Sequence, residues 1–158
     1  MTIRRYTAPD RAGCHDVYVR AVREGAAEFY TPAQRAAWAP NDTPDHAQPD
    51  RFLEQLCWVA EQDGAIIGFM SMSREGYIDM AFVLPEAMGT GLSTKLYEKI
   101  LEDARGHALQ NLTTNASHLA RRFFEKHGWR IEYQEDVDRN GVTLRRFHMS
   151  LPLTEMVP

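Results

Sequence analysis

Apolar positions along this chain change period several times, and each change marks an element. Cys14, Val17, Tyr18, Ala21 and Val22 recur at three- and four-residue spacing, which predicts a helix from about Asp10 to Ala27 with one buried stripe. Before it, Thr2 to Thr7 reads as a short strand, and Ala8-Pro9-Asp10 supplies a turn and an acid for the first helical turn. Thr31 and Pro32 predict the capped start of a second, short helix through Trp38. Pro40, Pro44 and Pro49 then predict a mobile surface loop. A short helix over Asp50–Leu56 is expected, with Asp50 as N-cap and Phe52, Leu53 and Leu56 facing inward.

The pattern then turns to strands. Cys57–Glu61 and Ala65–Met72 flank Gln62-Asp63-Gly64, and Asp-Gly is a strong tight-turn dipeptide. A turn at Arg74-Glu75-Gly76 leads into Tyr77–Val83, giving three consecutive antiparallel strands. Helical spacing returns at Leu92, Leu96, Ile100 and Ala104 and stops near Gly106. Asn111–Thr114 is a short strand, and Ser117 caps a helix through Lys126 that Gly128 ends. Trp129–Val137 and Val142–Leu151 are the last strands, around Arg139-Asn140-Gly141.

Composition narrows the classes. At 158 residues, with 44% hydrophobic and 25% charged, the chain fits one globular domain over residues 1–158 with a continuous core. No stretch approaches a membrane span, and the N-terminus is polar and charged, so a cytoplasmic protein without a membrane partner is expected. Cys14 and Cys57 lack ligand spacing and read as buried thiols, and the six scattered histidines show no metal spacing, so no metal is expected. The net charge of −4 argues against nucleic acid and suits a cationic substrate better.

Candidate chemistry concentrates in Phe82-Val83-Leu84-Pro85-Glu86-Ala87-Met88-Gly89-Thr90-Gly91-Leu92-Ser93, where a strand ends at a proline and a glycine turn opens a helix. Unpaired N–H groups at a helix N-terminus attract anions, and glycine lets a diphosphate approach closely. The turn has neither the Gly-Lys-Ser/Thr of a P-loop nor the third glycine of a dinucleotide fingerprint. Downstream, Thr113-Thr114-Asn115-Ala116-Ser117-His118-Leu119-Ala120-Arg121-Arg122-Phe123-Phe124-Glu125-Lys126-His127-Gly128-Trp129 reads as a strand, an Asn/Ser boundary and a helix ended by Gly-aromatic.

Together the two segments resemble the GNAT superfamily of N-acetyltransferases. Met88–Ser93 resembles its Gln/Arg-x-x-Gly-x-Gly/Ala pyrophosphate motif, and Asn115–Trp129 its Asn-Ala-x-x-x-Ala-x-x-Phe-Tyr-x-x-x-Gly-Phe pattern; clear resemblance covers about a third of the chain. It implies an α/β (α+β) fold: a central mixed, mostly antiparallel sheet of about six or seven strands, flanked by helices and splayed between the fourth and fifth. It implies acetyl-CoA as co-substrate. Backbone groups of Phe82 and Val83 would hold pantetheine, and N–H groups from Met88 through Gly89, Thr90, Gly91 and Leu92 to Ser93 and Thr94 the pyrophosphate. Asn115 would hold the cofactor from the neighbouring helix. Three positions depart from the family: Met88 stands for Gln or Arg, Ser93 for a small Gly or Ala, and Phe124 for a frequent Tyr that protonates the leaving thiolate. Phe124 therefore reads as a core and cofactor-packing aromatic.

Acetyl transfer needs a neutral amine and a proton for the departing sulfur. Asp79, which shares a face with Ala81 and Val83 by period-two alternation, is either the base or a salt-bridged or solvent-facing carboxylate. The acid is open between Tyr97, Tyr133, Ser117 and a water. Tyr30 and Trp38 either line an amine pocket or pack their helices. Arg121-Arg122 with Lys126 is a solvated face or a contact for the 3′-phosphate. The expected function is transfer of acetyl to a primary amine of a small molecule or peptide by direct attack, in a monomer or homodimer. The alternatives are a CoA-binding module without catalysis and a protein-directed acetyltransferase or interaction domain.

Overall fold

The computed structural model describes residues 1–153. Seven strands form one sheet: β1 (Thr2–Arg5), β2 (Leu56–Gln62), β3 (Ala65–Met72), β4 (Tyr77–Val83), β5 (Asn111–Ala116), β6 (Arg130–Arg139) and β7 (Val142–Pro152). Their spatial order is β1-β2-β3-β4-β5-β7-β6. Every neighbouring pair is antiparallel except β4–β5. The Asp63-Gly64 and Asn140-Gly141 turns take the positive φ angles that tight hairpins need (52° and 79°, 51° and 78°).

Helices cover both faces. On one, α3 (Leu92–Gly106) buries Leu92, Leu96, Ile100 and Ala104 beside α4 (His118–Lys126), which contributes Phe124 to the same cluster. On the other, α1 (Arg11–Arg20) buries Cys14 and Val17 with Cys57, Val59 and Phe69. Both cysteines are free and buried, and burial pushes the Cys14 thiol up to about 12. Helix α2 (Pro32–Trp38) is closed by a Thr31–Gln34 capping box, and α4 begins where Ser117 Oγ accepts from Ala120 N–H. The segment between α2 and β2 is tied to α1 by Arg11, which donates to the Asp45 and Gln48 carbonyls.

Two expected elements differ. The first helix is α-helical only to Arg20 and widens into a π turn over Ala21–Gly25. At its end Gly25 lies under the Met88 side chain, where a Cβ would overlap the thioether methyl. The expected 50–56 helix is a single 3₁₀ turn, Arg51–Leu53, under the Asp50 cap. Leu56 is claimed by β2 and pairs with Met72, so the inward stripe is lost and Leu53 is 55% exposed.

Candidate functional site

The site begins where the sheet opens. β4 and β5 pair only at Tyr77–Thr113 and Ile78–Thr114, where Thr114 Oγ1 also donates to the Ile78 carbonyl at 2.8 Å. Beyond that vertex the strands part, and among the described residues the side of β4 facing β5 has no strand partner through Val83. The splay thus falls between the fourth and fifth strands. A continuous cleft of about 1070 Å³ passes through it, from the Gly89 and Gly91 turn to a wall that includes Tyr30, Trp38, Arg51 and Arg139.

Pro85–Ala87 forms a 3₁₀ turn after β4, and Gly89 and Gly91 follow with φ of 77° and 88°. Among the described residues neither glycine has a neighbouring atom within 4 Å of where a Cβ would stand, so the turn faces open space. Met88 and Thr90 N–H are used inside it, by the Pro85 and Ala87 carbonyls. This corrects the expectation that the Met88 and Thr90 N–H groups are free for the pyrophosphate: among the described residues the donors of this turn without a partner are those of Gly89, Gly91, Leu92, Ser93 and Thr94. Gly91 is the N-cap of α3, so the last four point outward at the positive end of a 15-residue helix. The Met88 side chain packs on Gly25, and Arg20 holds Glu86 at 2.9 Å, so both anchor the turn to the end of α1.

At the vertex, Met80 pairs with Ser71 and Ile78 with Met72, which leaves Asp79 as an extra, bulged residue. The bulge breaks the period-two argument. Ile78 packs with Ala81 and Val83 in the α3 cluster, Met80 and Phe82 pack on the α1 side, and Asp79 turns to Arg51 and Gln55. Its Oδ2 takes Gln55 Nε2 at 3.0 Å and Arg51 Nε at 3.2 Å, whereas Oδ1 has no partner among the described residues. Asp79 is both salt-bridged and part of the cleft wall.

Asn115 is held at both ends of its amide: Nδ2 donates to the Tyr77 hydroxyl at 3.2 Å, and Oδ1 lies 2.9 Å from His148 Nδ1. Phe124 is 1% exposed and packed on Trp129 and Phe123, as a core aromatic. Tyr97 is likewise buried, its oxygen accepting from Trp129 Nε1 and its hydroxyl pushed up by burial. Ser117 Oγ caps α4 by accepting the Ala120 N–H, and Tyr133 is exposed on β6, stacked on His148.

Tyr30 and Trp38 both line the cleft and pack on each other, with centroids 5.2 Å apart. Tyr30 oxygen also accepts the His118 N–H at the start of α4. Arg121 and Arg122 do not line the cleft: Arg121 pairs with Glu125 and lies over Phe147, and Arg122 lies over Phe29. Lys126 does line it. Arg11, Arg51, Arg139, Arg145 and Arg146 line the cleft together with the acids Asp50 and Asp79, and Arg51 pairs with Asp79. Arg145 and Arg146 pair with Asp136 and Glu135, and Arg139 has no ion pair among the described residues. Net charge read from sequence missed this basic wall, which β6 and β7 bring to the N-terminal elements only in the fold. Nothing in the sequence pattern points to Tyr77 and Arg51, whose contacts with Asn115 and Asp79 depend on β4–β5 pairing and on the bulge.

Residues 23–151 match the family model of the acetyltransferase (GNAT) domain. The chain belongs to the GNAT acetyltransferase family. It is an acyltransferase of the type that acts on amines. The uncharacterized N-acetyltransferase YafP of Escherichia coli K12 is 31% identical over 147 residues, 93% of each chain. A GCN5-related N-acetyltransferase from Rhodopseudomonas palustris is 29% identical over 96% of this chain and 95% of that one, with a TM-score of 0.85. The acetyltransferase yncA of Salmonella typhimurium, solved with acetyl-CoA, shares the fold at a TM-score of 0.69 and 22% identity, over 100% of this chain and 96% of that one. The GNAT match spans the glycine turn, the splay and α4 together.

Proposed function

We propose that this GNAT protein transfers acetyl from acetyl-CoA to a primary amine of a small molecule or peptide, by direct attack of the amine on the thioester. The observation that carries the reading is the continuity of one cleft from five open N–H donors, at Gly89 and Gly91–Thr94, to the unpaired edge of β4. A diphosphate fits those donors, with Lys126 near for phosphate charge. The free edge of β4 at Phe82 and Val83 suits the amides of a pantetheine arm, as an added strand would. Acetyl-CoA brings the acyl group and the leaving sulfur; orientation and proton movement fall to the chain.

Asp79 is the base in this reading. Arg51 and Gln55 fix one carboxylate oxygen, which leaves Oδ1 to take a proton from the incoming ammonium. The basic wall at the amine end favours an acceptor whose remainder is neutral or anionic over a polyamine. Both cysteines are buried in the core, and among the described residues no activated nucleophile lies beside this base, so the amine itself attacks.

Calorimetry with acetyl-CoA, followed by thiol release over amino acids, peptides, aminoglycosides and polyamines, tests the proposal. Amine-dependent release supports it. Binding without release with any amine favours a binding module, and absence of binding overturns the cleft assignment.

A further inference from the structure

With Phe124 in the family's tyrosine position, the departing sulfur needs another proton source. Three phenols line the cleft: Tyr18, Tyr30 and Tyr77. Tyr18 gives its proton to the Trp38 carbonyl at 2.6 Å. Tyr30 is fixed between the His118 N–H, from which it accepts at 2.8 Å, and the Arg145 carbonyl, to which it donates at 3.4 Å. Tyr77 differs. Its oxygen accepts from Asn115 Nδ2 at 3.2 Å, and its own proton has no acceptor among the described residues.

The position matches the chemistry. Tyr77 pairs with Thr113, next to the last β4–β5 pair, Ile78–Thr114, and lies two residues before the bulge that carries Asp79. From Val83 back to Asp79 is four residues of strand, about 13 Å at roughly 3.3 Å each. An extended pantetheine arm anchored at the glycine turn and laid along this edge brings its thioester to the vertex. This step rests on the acetyl-CoA reading above.

We infer that Tyr77 is the general acid that protonates the leaving thiolate, and that Asn115 and His148 position it. As the amine nitrogen bonds to the carbonyl carbon, the carbon–sulfur bond breaks and its electron pair goes to sulfur. The Tyr77 O–H delivers its proton there, releasing the free thiol. The tyrosinate is restored, through water, by the proton that the amine nitrogen loses. His148 Nδ1–H donates to Asn115 Oδ1 in both the Nδ1-protonated neutral ring and the imidazolium, and the ring is stacked on Tyr133 at 4.9 Å. Asn115 is thereby held with Nδ2 toward Tyr77, and the phenol proton is directed away from the amide.

The test is Tyr77→Phe, assayed by steady-state kinetics with the best amine of the panel and by calorimetry with acetyl-CoA. The expected result is a loss of about 100-fold or more in kcat with acetyl-CoA affinity within about twofold of the parent. Unchanged kcat, or a loss explained by weaker acetyl-CoA binding, overturns the assignment. His148→Phe keeps the ring on Tyr133 and removes the donor to Asn115. It is expected to lower kcat about tenfold while leaving the acetyl-CoA KM unchanged, and unchanged kcat there overturns the positioning role. This second variant carries the test if Tyr77→Phe does not fold. Failure of the parent protein to bind acetyl-CoA sinks the cofactor reading and this assignment with it. Parent binding with full turnover in Tyr77→Phe sinks only the assignment.

Discussion

Arg51 Nε lies 3.2 Å from Asp79 Oδ2, and this ion pair fixes the carboxylate of the β4 bulge with its second oxygen free. Asp79→Asn keeps the shape and the Gln55 contact but removes the proton acceptor. The expected outcome is a fall in kcat of about 10²–10⁴-fold with unchanged acetyl-CoA affinity, measured by thiol release and calorimetry. An unaltered pH–rate profile in this variant removes Asp79 as base.

Gly91 combines a φ of 88° with open space in front of it. Gly91→Glu adds a backbone cost of about 1–2 kcal/mol and places a carboxylate among the donors proposed for the pyrophosphate. Acetyl-CoA affinity is expected to fall at least about 100-fold, or roughly 2.7 kcal/mol. Equal affinity by calorimetry sinks the pyrophosphate assignment.

Local pattern carried most of the fold and the anion turn. The stripes on α1 and α3, the Ser117 and Thr31 caps and the Asp63-Gly64 and Asn140-Gly141 turns are set by residues near one another in sequence, so periodicity and cap chemistry suffice to read them. The splay came from family resemblance. What stayed illegible depends on pairing between distant segments. The Asp79 bulge exists only in the register of β3 against β4, and Leu56 left its expected helix because Met72 claims it in a sheet. Tyr77 meets Asn115 only through the parallel β4–β5 contact, and the Met88 N–H is consumed by a turn whose bonding composition does not reveal.

Arg4 holds Asp10 at 2.7 Å, and this bond, with support from Thr7, keeps the Asp10 carboxyl below its ordinary value against the opposing effect of burial. A depressed folded value stabilises the fold above the unfolded value, near 4, and that stability is lost as pH falls through the folded value. Asp10→Asn is expected to lower stability by about 1–3 kcal/mol at pH 7. The gap between variant and parent should narrow in urea unfolding at pH 3. A gap that does not change with pH contradicts this.

Arg11 and Arg139 are the cations of the amine-end wall without an ion pair among the described residues; Arg11 is tied to the Asp45 and Gln48 carbonyls, whereas Arg139 projects from the β6–β7 hairpin. Arg139→Glu is expected to raise KM for the best anionic or neutral amine several-fold while leaving acetyl-CoA affinity unchanged. The same variant should improve relative turnover of polyamines. A parent enzyme that prefers polyamines over amino acids in the thiol-release panel overturns the charge argument.

A crystal structure with acetyl-CoA tests the cleft assignment most directly. The pyrophosphate is expected within hydrogen-bond distance of the Gly89, Gly91, Leu92, Ser93 and Thr94 N–H groups, with pantetheine along β4 and the thioester at the vertex beside Tyr77 and Asp79. Acetyl-CoA bound outside the splay, or with its thioester away from that vertex, would contradict it.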